Sequence, residues 1–186
     1  MSSAQTAPIA AEAFIDQIQS ADADIRYTAW RSAGTQLPSA VAPLAGLLES
    51  PDKGIAKAAK GALETLVYES SPGDRERADA IADELAKVAA DHARSRPVRA
   101  EVIHLIGFVA HHLVVPDLAV LLDDLEVRDE ARMALERIPG HSSLNALKNA
   151  ARLCIDPFRA HLDQSINNRA FTPETVGREP RSTEGR

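Results

Sequence analysis

The chain has little of what would announce a chemistry. Cys154 is the single cysteine among 186 residues, so no disulfide can close within the chain, and a reducing, cytoplasmic setting is expected. No histidine or basic residue flanks it, and the thiol reads as a small buried hydrophobe. Aromatic residues make up only 4% of the chain, with one tryptophan and two tyrosines. No uninterrupted run of apolar residues reaches the ~18 needed to span a bilayer. The stretch MSSAQTAPIAAEAF lacks the basic start and apolar core of a leader, so no membrane association is expected. An excess of basic residues is also missing. With 27 acidic against 21 basic residues, a net charge of -6 argues against nucleic acid, whose binding runs on neutralisation of phosphates by Lys and Arg. There is no glycine-rich phosphate loop, Gly-x-Ser-x-Gly elbow or Cys-x-x-Cys pair. β-Branched runs are short and alanine is abundant, so the chain is expected to be all-α.

What the chain does have is an internal repeat. In VRDEARMALERI, the apolar positions Val127, Ala131, Ala134, Leu135 and Ile138 share one face of a 3.6-residue helix. The same template returns Val98, Val102, Leu105, Ile106 and Val109 from VRAEVIHLIGFV. It returns Ile55, Ala59, Ala62, Leu63 and Leu66 from IAKAAKGALETL, and more weakly Ile25, Ala29, Ser32, Ala33 and Gln36 from IRYTAWRSAGTQ. Three residues before the four starts stand Asp22, Asp52, Ser95 and Asp124, side chains able to accept hydrogen bonds from a first helical turn. A second, shorter apolar helix follows the first, third and fourth copies, as VAPLAGLL, VPDLAVLL and SLNALKNAARL, so each unit reads as a helical hairpin. The starts recur every 29 or 30 residues except for one interval of 43. The longer unit contains a turn at Ser70, Ser71, Pro72 and Gly73 and a lengthened second helix striped by Ile81, Leu85 and Val88.

A period near 30 built from paired helices is the signature of a stacked α-solenoid. The pattern resembles the HEAT repeat family, particularly its short bacterial kind. In that kind Asp-x-x-(Val/Ile)-Arg is followed by Ala four after the Val/Ile and then by a Pro-led, Leu-rich second helix. Asp22, Ile25 and Arg26 match it, as do Asp124, Val127 and Arg128, while Val98 and Arg99 follow Ser95 instead of Asp. The second unit departs, with Asp52 and Ile55 but Ala56 in place of Arg, which interrupts any continuous Asp-Arg ladder. The resemblance covers about residues 10 to 155. It implies a right-handed α-solenoid of about four HEAT-like hairpins. Ile9, Ala13, Phe14 and Ile18 would face it from an N-terminal capping helix, and Phe158, Leu162 and Ile166 from a C-terminal one. The expected layout is a disordered segment at 1–8, the solenoid at 9–170, and a disordered tail at 171–186 whose two prolines and mixed charge show no periodicity.

Several HEAT-like families are enzymes. The deoxyhypusine hydroxylase type carries iron on His-Glu dipeptides, and none of the six histidines here precedes a glutamate. The alkylpurine glycosylase type uses a basic, aromatic-bearing cleft, which this composition does not supply. His104, His111 and His112 with Asp117 form the best remaining metal constellation. His104 and His111 are about 10 Å apart along a helix, too far for one ion, so no metal or cofactor is expected. Two surfaces remain. Asp123, Asp124, Glu126, Asp129 and Glu130 crowd LLDDLEVRDEAR against Arg128 alone, either as helix N-terminal charges or as an acidic patch for a basic partner. Tyr27 and Trp30 are neighbouring helix aromatics that read as packing or as an anchor. The residues expected to line the second-helix side, among them Asp79, Asp83, Lys87, Asp117 and Lys148, are mixed in charge and suit protein, not polyanion. The expectation is a non-catalytic protein-protein interaction module that scaffolds or regulates a partner, with Asp117, Asp123, Asp124, Glu126, Tyr27 and Trp30 as candidate contacts. The alternative is an accessory enzyme of the HEAT-like bilin-lyase type holding a tetrapyrrole, which would need a converging Tyr, Trp, Asp or His set.

Overall fold

The computed structural model describes residues 11–70, 73–109 and 112–170. The expected disordered segments at 1–8 and 171–186 lie outside them, as do Ile9, Ser71, Pro72 and His111. Among the described residues all regular structure is helical. They form ten α-helices: α1 (Ala11–Ile18), α2 (Ala23–Arg31), α3 (Val41–Leu47), α4 (Lys53–Ser70), α5 (Arg75–Ala90), α6 (Arg96–Val109), α7 (Val115–Val120), α8 (Arg128–Arg137), α9 (His141–Leu153) and α10 (Phe158–Ala170). No described helix is long and apolar enough to cross a membrane.

Helix starts follow the expected acceptors in part. The Asp22 carboxylate accepts the Asp24 N–H at 2.8 Å, and Asp52 accepts those of Gly54 at 2.7 Å and Ile55 at 3.2 Å. Ser95 behaves differently, because its backbone N–H and its hydroxyl both turn to the Glu49 carboxylate. Asp124 accepts the Glu126 N–H in the turn ahead of α8, and Val127 occupies the cap position without a side-chain bond. At the far end of α8, Pro139 and Gly140 stop the helix, with Gly140 at a φ of 98° that favours glycine.

The repeat template is the core. All five template residues of the third and fourth copies are buried, as are Ala59, Ala62, Leu63 and Leu66 of the second. In the first copy Ala29, Ala33 and Gln36 are buried while Ile25 is exposed. Among the described residues that end is covered by α1, about two turns long, through Phe14 and Ile18, and Ala13 points away from the contact. At the other end Phe158 and Leu162 of α10 are buried and Ile166 is half-buried. Two rows of contacts run through the molecule: α2 against α4, α4 against α6, α6 against α8 and α8 against α10, and alongside them α3 against α5, α5 against α7 and α7 against α9. The apolar face of α8 therefore packs on the corresponding face of α6.

Trp30 of α2 lies so close on α4 that a Cβ added at Gly61 would stand 2.2 Å from its Cε2. Alanine in a helix interior ordinarily stabilises by about 0.5–1 kcal/mol relative to glycine. Gly61→Ala should do the opposite, destabilising by about 1–3 kcal/mol as the indole is displaced. Urea unfolding checks the sign, and fluorescence of this single tryptophan reports the displacement.

Candidate functional site

The acidic corner forms where the Leu121–Asp123 turn leads through Asp124 into α8. Arg99 of α6 is fully buried beneath it. Its Nε donates to the Ala89 carbonyl at the end of α5 at 2.8 Å, its Nη2 donates to the Asp124 carboxylate, and its Nη1 donates to Glu126 at 3.2 Å. Arg96 donates to the Glu126 carbonyl at 2.8 Å and to the Glu130 carboxylate at 2.7 Å. Arg132 donates to Asp129 at 2.7 Å and to Glu136 at 3.2 Å. Arg128, which sequence proximity offers as the opposing base, reaches away to Asp156 at 2.6 Å and lies over the Phe158 ring at 4.4 Å.

The corner draws its countercharge from arginines other than Arg128. Its carboxylates are answered chiefly from α6, 25 to 34 residues earlier in the chain, and from the next turn of α8. Arg99 holds the Asp124 carboxyl below the usual carboxylate range, helped by the Glu126 N–H. Asp156 is likewise held low, first by Arg128 and then by the Phe158 N–H.

Of the five corner acids, Asp123 has no hydrogen-bonded or ion-pair partner among the described residues. It lies on the wall of a groove of about 590 Å³ between α7, the corner, α9 and the 154–157 loop that leads into α10. The groove is mainly apolar, and three large hydrophobic side chains at it are open to solvent: Leu125 (77%), Leu153 (82%) and Ile155 (100%). A single exposed leucine is ordinary on a protein surface, but three around one hollow form a contiguous patch of the kind that marks an interaction surface. Half-buried Cys154, at the end of α9, also lines the groove, with its Sγ 3.4 Å from Asp156 Oδ1.

The other candidates lie elsewhere. Asp117 is exposed on α7 and lines a separate hollow with Asp79, Asp83 and Leu113. Tyr27 and Trp30 meet edge to face at 5.8 Å on α2, which packs on α1 and α4 and not on the corner. Trp30 is occupied in packing on α4, and Tyr27 is exposed. His104 stands edge-on to Phe108 at 5.0 Å, and no group of three His, Cys, Asp or Glu among the described residues is placed to hold a metal. Leu125, Leu153 and Ile155 were missed as site residues. Ile155 follows the end of α9 at no template position, so an apolar residue in the break between helices was the available signal.

No family model and no curated protein matches this chain. The solved structure of an engineered protein is similar at 20% sequence identity and a TM-score of 0.42, over 86% of this chain and 77% of its own.

The low Asp124 pKa means that folding favours its ionised form. That stabilisation is fully present above the unfolded value of about 3.9 and is lost as the pH falls through the lower folded value. Asp124→Asn keeps an acceptor for the Glu126 N–H but leaves the buried Arg99 with less countercharge, and should cost about 2 kcal/mol or more at neutral pH. Urea unfolding of both proteins from pH 7 downward should show this difference shrinking below about pH 4.

Proposed function

We propose that this chain is a HEAT-like α-solenoid that works as a non-catalytic protein-interaction module, scaffolding or regulating a partner that docks in the groove beside Asp123. The observation that carries this reading is the cluster of exposed Leu125, Leu153 and Ile155 around one hollow. The two rows of helix contacts and the repeated Asp-x-x-(Val/Ile)-Arg motif support the solenoid. Of the converging Tyr, Trp, Asp or His set that a tetrapyrrole-holding site would need, the described groove lining has Asp123 and Asp156, and Asp156 is taken by Arg128. An apolar groove with one carboxylate unpaired among the described residues suits a partner segment that sets a basic side chain beside apolar ones.

A photo-cross-linking residue placed at position 153, with position 27 as the comparison, tests the site in cells of the source. Capture of a polypeptide from position 153 but not from 27 is the expected result. Capture from 27 alone would move the interface to α2, and no adduct from 153 above the unirradiated control would remove the groove as a docking site.

A further inference from the structure

We infer that the occupant of this groove is a second copy of the same chain, an inference that rests on the docking reading and names its partner. The patch carries both halves of a contact. Leu153 and Ile155 protrude at the lip of the hollow, so each copy offers apolar side chains and a place to receive them. The charges are also paired across it. Asp123, with no ion-pair partner among the described residues, stands on the wall formed by α7 and the corner.

On the opposite wall, α9 turns Ala146, Asn149, Ala150 and Leu153 to the groove, and exposed Arg152 flanks that stripe with only Asn149 as its hydrogen-bond partner among the described residues. A two-fold axis through the groove places Asp123 of each copy opposite Arg152 of the other, and Leu153 and Ile155 of each in the other's hollow. Such an isologous contact requires the same surface to be complementary to itself, and closed two-fold dimers are the commonest assemblies. A net charge of -6 repels copies in general, and a patch holding one acid and one base, neither in an ion pair among the described residues, removes that repulsion locally. A basic partner would answer Asp123 but would leave Arg152 facing its own sign, which favours a copy over a basic chain.

Sedimentation velocity of the full chain up to about 100 µM, where micromolar affinity would be saturated, tests the inference. The dimer mass is expected, with monomer restored by the double substitution Leu153→Asp and Ile155→Asp. Both residues are exposed, so circular dichroism and thermal midpoint should stay unchanged. Asp123→Arg alone and Arg152→Asp alone should each weaken the dimer at least several-fold, and combining them should bring it back. Failure of the combined swap to restore a dimer weakened by each single change overturns the proposed pairing, as does a dimer indifferent to Leu153→Asp and Ile155→Asp. A monomeric wild type that still cross-links a different polypeptide from position 153 overturns the second copy and leaves the docking reading standing. A monomer that captures nothing overturns both.

Discussion

A guanidinium buried under the start of α8 ties together parts of the molecule that the apolar template alone would leave free to slide. Arg99 is fully buried, yet its donors meet the Ala89 carbonyl, Asp124 and Glu126, so the end of α5, the body of α6 and the entrance to α8 share one charge. Hydrophobic faces are tolerant of small shifts because dispersion and burial are non-directional. A buried guanidinium is not tolerant, since breaking such a pair leaves an uncompensated charge that costs several kcal/mol. The packing of α6 on α8 is therefore held at the level of individual atoms as well as by area.

The same position in the other units shows how the device varies. Arg26 donates to the Ser20 and Ala21 carbonyls ahead of its own helix, at 2.6 and 3.0 Å, as Arg99 does to Ala89. Arg128 reaches forward to Asp156 and so places the loop before α10. In the second unit Ala56 stands where the other copies carry arginine, and Ser95 stands where the other copies carry aspartate. With neither member present no charge is stranded there, and Ala56, Pro97 and Val98 line a hollow together with Leu48 and the flanking Glu49, Lys57, Lys60 and Glu101.

The groove is a consequence of where these ties point. By pulling Asp156 toward α8, Arg128 positions the 154–157 loop, and Phe158 N–H completes the turn on the same carboxylate at 2.7 Å. Leu153 and Ile155 stand at the two sides of Cys154 where α9 ends, while Leu125 occupies the turn before α8. None of the three lies on the template face of a helix, and this is why they remain outside the core.

The sequence by itself determined which residues form the core of each helical copy. Helical periodicity is a local property, so Val98, Val102, Leu105, Ile106 and Val109 could be assigned to one buried face without knowing what covers it. It erred at Ile25 and Ala13, near the first copy, which have the right spacing but are exposed among the described residues, and Ile55 of the second copy is only half-buried. Charge partners and surface hollows are decided by tertiary structure. Asp124 looked unanswered because Arg99 lies 25 residues before it, and Asp123 became distinct only once its four neighbours had found arginines. The groove required α7, α9 and the 154–157 loop to meet, and no residue's own sequence context carries that distance.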